Sequence, residues 1–211
     1  MAKETGISWT DHTVNPWIGC YEVSEECRNC YARQMEDVRL GRVEWGKCMA
    51  RCASSARTFN RKAARDGVRR KVFCASESDF FEDNPSLVEI RRHWWGVIRD
   101  CSSLDWLVLT KRADKIQGML PPDFQSGAYA HVNLGTTCGM RRSFSRLDSL
   151  RAVPDWGGLR FTSMEPLLES LDGVNLERID WAIVGGEQTP GNDFRRMEDE
   201  WVREIQRACE K

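Results

Sequence analysis

Short apolar runs and segments with helical spacing alternate along most of this sequence. KVFCAS (71–76), DWLVLT (105–110), AYAHVNLGTT (128–137), LRFTSMEPL (159–167) and IDWAIVGGE (179–187) read as strands. PSLVEIRRHWWGVIRDC (85–101), ADKIQGML (113–120), MRRSFSRLDSLRAV (140–153) and the final MEDEWVREIQRACEK read as helices. Strands that alternate with helices of this length form βαβ units and a parallel sheet. ISWTDHTVNPWIGC (7–20) supplies a first strand, which makes about six units. Six are too few to close an eight-fold barrel. The expected fold is α/β, a (βα)6 partial TIM barrel or a doubly wound open sheet. It is expected as a single domain over residues 1–211, with a basic, Cys-containing insertion around 41–70. A helix is expected from about Cys27 through CRNCYARQMEDVRL.

At 211 residues the chain is long enough to bury a substantial core. The net charge of −1 does not by itself advertise a nucleic-acid or membrane partner. The start, MAKETGISWTDH, has no apolar leader, and no apolar run approaches a membrane-spanning length. An intracellular setting keeps thiols reduced, so the nine cysteines point to metal or redox chemistry rather than to disulfides.

In a parallel α/β fold, ligands bind at the carboxyl edge of the sheet. Polar residues gather at that edge here. Ser76, Glu77, Ser78 and Asp79 follow one strand; Thr110, Lys111 and Arg112 the next. Thr136 and Thr137, then Ser163 and Glu165, then Gly185, Gly186 and Glu187 follow the others. The loop after the first strand falls at the same edge. It reads GCYEVSEECRNCYA and carries Cys20, Cys27 and Cys30 as C-x6-C-x2-C.

Two metal chemistries suit three clustered thiols. A structural zinc site takes four ligands, and Cys48, Cys52 and His12 are candidates for the fourth. An iron–sulfur cluster held by three thiolates keeps one iron open for an exogenous ligand. Tyr31, next to the last of the three cysteines, is placed to pack against such a cluster. Cys48 and Cys52 also form a C-x3-C pair, a candidate second metal site with Cys74 or Cys138, against the plainer reading of packed thiols. Cys101 and Cys209 fall in helical patterns and read as structural.

Seven blocks in order resemble the radical S-adenosylmethionine (radical SAM) superfamily: ISWTDHTVNPWIGC, CRNCYA, RRKVFCASESDFFEDNP, WLVLTKRADKI, VNLGTT, RFTSMEPLL and DWAIVGGEQTPG. The resemblance is sharpest to a phage branch, the Gp37/Gp68-like group, distantly similar to spore photoproduct lyase. The common spacing in the superfamily is C-x3-C-x2-C, and this chain departs from it. The branch usually runs past such a final helix into an aromatic-rich tail, whereas this sequence stops at Lys211.

The resemblance implies a 4Fe–4S cluster on Cys20, Cys27 and Cys30, with SAM as co-substrate and an external reductant. It implies SAM contacts from Ser76, Ser78, Asp79, Thr110, Lys111, Thr136, Thr137 and Ser163. Lys111 suits the SAM carboxylate. Glu165 is a candidate for ribose, amino or substrate contact, and Cys138 for a hydrogen donor. Glu187, in a GGE stretch at the end of the last strand, would face the site. The resemblance also implies the cytoplasm of a phage-infected host and no membrane.

The basic residues are unevenly spread. Eight lie from Arg51 to Lys71 against one acid, Asp66, and RRSFSR (141–146) is a second patch. Basic clusters track phosphate backbones, so Arg57, Arg61, Lys62, Arg141 and Arg142 are candidates for nucleic-acid contact. Trp45 and Phe59 are candidates for stacking on a base. With the phage resemblance, the expected substrate is a (hyper)modified pyrimidine in DNA. A peptide or small-molecule substrate, or a non-catalytic zinc-stabilised nucleic-acid-binding module, are the competing readings.

Overall fold

The computed structural model describes residues 5–188 and 194–210. Six strands form one parallel sheet: β1 (His12–Val14), β4 (Arg70–Cys74), β5 (Leu104–Thr110), β6 (Val132–Thr137), β7 (Arg160–Met164) and β8 (Trp181–Val184), side by side in that order. Each neighbour in space is the next of these strands in sequence, as in a barrel that stops after six strands. This is the expected partial-barrel architecture. A separate two-stranded ladder pairs β2 (Trp17–Ile18) with β3 (Met49–Ala50), antiparallel, inside the first crossover.

The helices are α1 (Tyr31–Arg33), α2 (Ser54–Asp66), α3 (Val88–Asp100), α4 (Ile116–Met119), α5 (Phe144–Arg151) and α6 (Asp199–Cys209). The expected helix from Cys27 begins later. Glu25–Cys27 is a 3-10 turn, α1 starts at Tyr31, and Gln34–Arg39 widens into a π-helix. The insertion carries β3 and α2. No helix connects β7 to β8. That connection anchors instead through Leu167, Leu171 and Val174, which pack with Met164, Leu147 and Ile205.

Alternation along the strands divides the core into two layers. Val72, Cys74, Trp106, Val108, Val132 and Leu134 pack with α3 residues such as Trp94, Trp95 and Ile98. Leu107, Phe161 and Ile183 fill the inside of the partial barrel with Trp9, Leu109 and Trp181. Phe161 occupies the space a side chain at Gly135 would need: a Cβ there would lie 2.3 Å from its ring. Most of the tryptophans are therefore core. Trp17, Trp94, Trp95, Trp106 and Trp156 are all buried, and the last two donate their indole N–H to the carbonyls of Cys101 and Val132. No helix among the described residues is long and apolar enough to cross a membrane.

Candidate active site

One cavity of about 330 Å³ opens at the carboxyl edge of the sheet. Cys20, Cys27 and Cys30 line it together with Ser76, Ser78, Asp79, Thr110, Lys111, Thr137, Ser163, Glu165 and Glu187. Thr136 does not. Alternation along β6 turns Thr137 inward and Thr136 outward, where its hydroxyl donates to the Thr110 carbonyl at 2.9 Å. Cys138 is also outside the lining. It is fully buried, packs with Met164 and Leu147, and burial pushes its thiol up to about 12.

The loop from Cys20 to Cys27 is held at both ends. Near Cys20, the Tyr21 N–H donates to Glu82 at 3.3 Å and the Tyr21 carbonyl accepts from Arg112 at 2.7 Å. Arg112 also pairs with Asp79 at 2.9 Å. Asp79 accepts from the Thr110 hydroxyl at 2.6 Å and the Lys111 N–H at 3.0 Å. Its carboxylate is therefore committed to joining the ends of β4 and β5. Burial, then the neighbouring Asp79, push the Cys20 thiol up, against the pull of Arg112.

Near Cys27, Glu26 enters the protein interior. Its carboxylate accepts from Ser24 at 2.6 Å, from the Gly139 N–H at 2.9 Å and from Ser143 at 3.0 Å, and pairs with Arg146 at 2.8 Å. Burial opposes ionisation, but Arg146 and these donors outweigh it and lower the Glu26 pKa. So the six residues between the first two cysteines span the cavity mouth, from the β4–β5 side to the β6–β7 side.

The segment after β4 is equally fixed. Ala75 adopts a left-handed φ of 67°, a conformation costly for a residue with a Cβ. Asn15 receives the Glu77 N–H at 2.9 Å and bonds the Ser76 hydroxyl. The Tyr31 hydroxyl donates to the Ser76 carbonyl at 2.6 Å, so Tyr31 secures this loop. Two buried hydroxyl oxygens, Ser78 Oγ and Thr137 Oγ1, line the cavity without a protein partner. Buried polar groups normally have partners, so an orphan in a cavity wall marks a place for a ligand atom.

Glu165 lies against the last strand because Gly185 has no side chain: a Cβ there would fall 2.1 Å from Glu165 Oε1. The close approach that this glycine permits is made by Glu165. Burial raises the Glu165 pKa, although hydrogen bonds from Trp9 and Ser163 oppose it. Glu187 is bound differently. Its carboxylate accepts from Asn29 at 2.8 Å and pairs with Arg195. Although burial acts the other way, the hydrogen bonds from Arg195 lower its pKa to about 2. Thr189, Pro190 and Gly191 of the GGEQTPG stretch lie outside the described residues.

The remaining candidates are scattered. Arg57, Arg61 and Lys62 lie on α2 and do not line the cavity. The neighbouring Asn60 accepts from Ser103, at the opposite edge of the sheet. Phe59 cannot stack on a base, because it is buried against His12 with ring centroids 3.9 Å apart. Trp45 does line the cavity. Arg141 is exposed and bonded to Glu169 and Ser170, with Arg142 beside it.

The candidate second metal site does not form. Cys74 is fully buried in the helix-facing core, Cys48 hydrogen-bonds the Gly19 carbonyl and Glu82, and Cys52 is exposed and bonded to Ser54. Among the described residues, no three His, Cys, Asp or Glu side chains gather closely enough to hold one metal ion. No histidine and no fourth cysteine lines the cavity.

Sequence reading did not find the roles of Glu26, Asn29, Trp9, Arg146 and Arg195. Each acts through a partner far away in the chain, and no local pattern encodes that.

No curated protein matches this chain. Solved structures of spore photoproduct lyase do. A double mutant with bound AdoMet and dinucleoside spore photoproduct aligns at a TM-score of 0.60 with 12% identity. A complex with dinucleoside spore photoproduct aligns at 0.58 with 12% identity, and a single mutant at 0.58 with 14%. Each alignment covers 100% of this chain and 64% of the other, so the chain spans about two-thirds of the length of those structures. The shared feature is the fold. Residues 4–211 match the model of one protein family, and the chain therefore belongs to the family described as Protein of unknown function (DUF5131).

Proposed function

We propose that this chain is a radical SAM enzyme, with Cys20, Cys27 and Cys30 as the ligands of a 4Fe–4S cluster. One observation carries the reading. Three thiols and the polar ends of four successive strands, β4 to β7, line a single cavity in which Ser78 Oγ and Thr137 Oγ1 have no protein partner. The donor set fits a cluster better than structural zinc, because among the described residues the lining offers three thiols and neither the fourth cysteine nor the histidine that complete structural zinc sites. When bound, the cluster and SAM supply a 5′-deoxyadenosyl radical that takes a hydrogen atom from substrate.

The chain's own residues bind and orient. Lys111 brings a positive charge to the cavity, near enough to Glu26 to favour its ionised form, and suits a carboxylate. Ser78 and Thr137 offer hydroxyls to polar ligand atoms. Asp79 and Arg112 line the cavity and hold its loops in place. Glu165, with no cation partner among the described residues, offers a carboxyl to a proton-bearing group of ribose or substrate.

The substrate we assign is a pyrimidine of DNA, in keeping with the resemblance to the phage branch. Support comes from the dinucleoside bound in the structures that share the fold and from Trp45 in the cavity wall, placed to stack on a base. A base in duplex DNA would have to be flipped out to enter.

Anaerobic reconstitution with iron and sulfide tests the first part. The expected result is a coloured protein that, given SAM and dithionite, forms 5′-deoxyadenosine. A colourless protein with stoichiometric zinc overturns it. Replacing any one of the three cysteines with alanine should abolish cluster retention. Salt-sensitive DNA binding and an altered nucleoside profile of treated DNA are expected for the second part. A cluster-bearing enzyme that leaves DNA unbound and unchanged overturns the substrate assignment.

A further inference from the structure

The turn that carries Cys27 and Cys30 is gripped from the far end of the chain. Asn29, between the two cysteines, donates to Glu187 Oε2 at 2.8 Å. Arg195 donates to the same carboxylate from its backbone N–H at 2.9 Å and from Nε at 3.1 Å, and pairs with it through Nη2. The Arg195 guanidinium also donates to the Glu25 carbonyl at 3.0 Å and lies 3.5 Å from the Glu25 carboxylate. One arginine and one glutamate, both following β8, therefore hold the residues on either side of Cys27. The Glu187 side chain is 3% exposed and that of Arg195 30%, so the bonds to Glu187 are partly buried while those to Glu25 face solvent.

We infer that Glu187, Arg195 and Asn29 form a latch that sets the shape of the Cys27–Cys30 turn before any cofactor is present. They are positioning residues that act through the backbone of the turn. This inference rests on the reading of the three thiols as cluster ligands, and it gives the GGE stretch of the last strand a different role. Its glutamate serves the cysteine turn, and its first glycine makes room for Glu165.

The test uses the full chain with Glu187→Gln, which keeps the side-chain size and removes the charge, and the milder Arg195→Lys. Hydrogen exchange of residues 25–31 is followed in the reduced, metal-free protein, with β5 and β6 as internal reference. Loss of charge-assisted bonds should speed exchange at 25–31 about tenfold or more, with the reference strands unchanged. After reconstitution, the same variants should lose iron to a chelator faster than the wild type. Unchanged exchange at 25–31 in both variants overturns the latch. Faster exchange without faster iron loss also overturns it, because the grip then does not extend to the thiols. A wild-type protein that takes up no iron removes the cluster reading, while exchange in the metal-free chain still decides whether the latch holds the turn.

Discussion

Glu165 and Glu187 are two carboxyls in one cavity wall, and their surroundings drive them in opposite directions. Burial raises the Glu165 pKa, against hydrogen bonds from Trp9 and Ser163. A group raised in the folded state favours folding while protonated, and that contribution is lost as pH rises through its folded value. Glu165→Gln keeps an acceptor for Trp9 and removes the buried charge, so it should raise the thermal midpoint at neutral pH by a few degrees. The gain should vanish below about pH 4, where both states are protonated. Glu187 behaves in reverse. Its pKa of about 2 gives stability that is fully present above the ordinary glutamate value of about 4.3 and is lost as pH falls toward 2. Acid unfolding of wild type and Glu187→Gln should differ by a constant amount above about pH 5 and converge in strong acid. Neither sign was legible in the sequence. Glu165 and Glu187 both end apolar strands, and what separates them is Arg195 and Asn29, residues outside their own strands. The inward position of Thr137, by contrast, follows from simple alternation once β6 is fixed.

At the scale of elements the sequence was more informative. Each run that reads as a strand contains one, although β6 and β8 cover only part of 128–137 and 179–187, because an apolar run bounded by polar residues is long enough for a buried parallel strand and too short for a helix. What escaped were the places where tertiary contacts replace local periodicity. The connection from β7 to β8 shows no helical spacing and is held by separate apolar anchors. The stretch after Cys30 has helical spacing but becomes a π-helix, a form common beside functional sites. Gly135 gives an element-level prediction. Its replacement by alanine drives a Cβ against the Phe161 ring, both sides of which belong to the sheet. Such overpacking should cost about 1–3 kcal/mol in denaturant unfolding. Adding Phe161→Leu should recover part of that loss, as expected for coupled neighbours.

Across the whole molecule, the cysteine loop is attached around the barrel mouth: to Glu82 and Arg112 after β4 and β5, to Gly139 and Arg146 after β6, and to Glu187 and Arg195 after β8. Among these ties is the buried Glu26–Arg146 pair, with side chains 0% and 14% exposed. Glu26→Gln leaves Arg146 without its charge partner and should cost about 3–5 kcal/mol by urea unfolding. Loss of the exposed Glu22–Arg33 pair in the same loop should cost less than about 1 kcal/mol. The six residues between Cys20 and Cys27 carry both anchors, Tyr21 at one end and Glu26 at the other.

The same attachments impose an order of events on synthesis. A chain emerging from the ribosome presents its three thiols early, but the groups that hold their loop follow in stages: Glu82 and Arg112 first, then Gly139 and Arg146, then Glu187 and Arg195. Until Arg195 has been added and has docked, the Cys27–Cys30 turn lacks its last grip, although Glu82, Arg112 and Arg146 already hold the rest of the loop. The final geometry of the thiols should therefore be reached only once the chain through Arg195 has folded, and any loading of these thiols should follow that point.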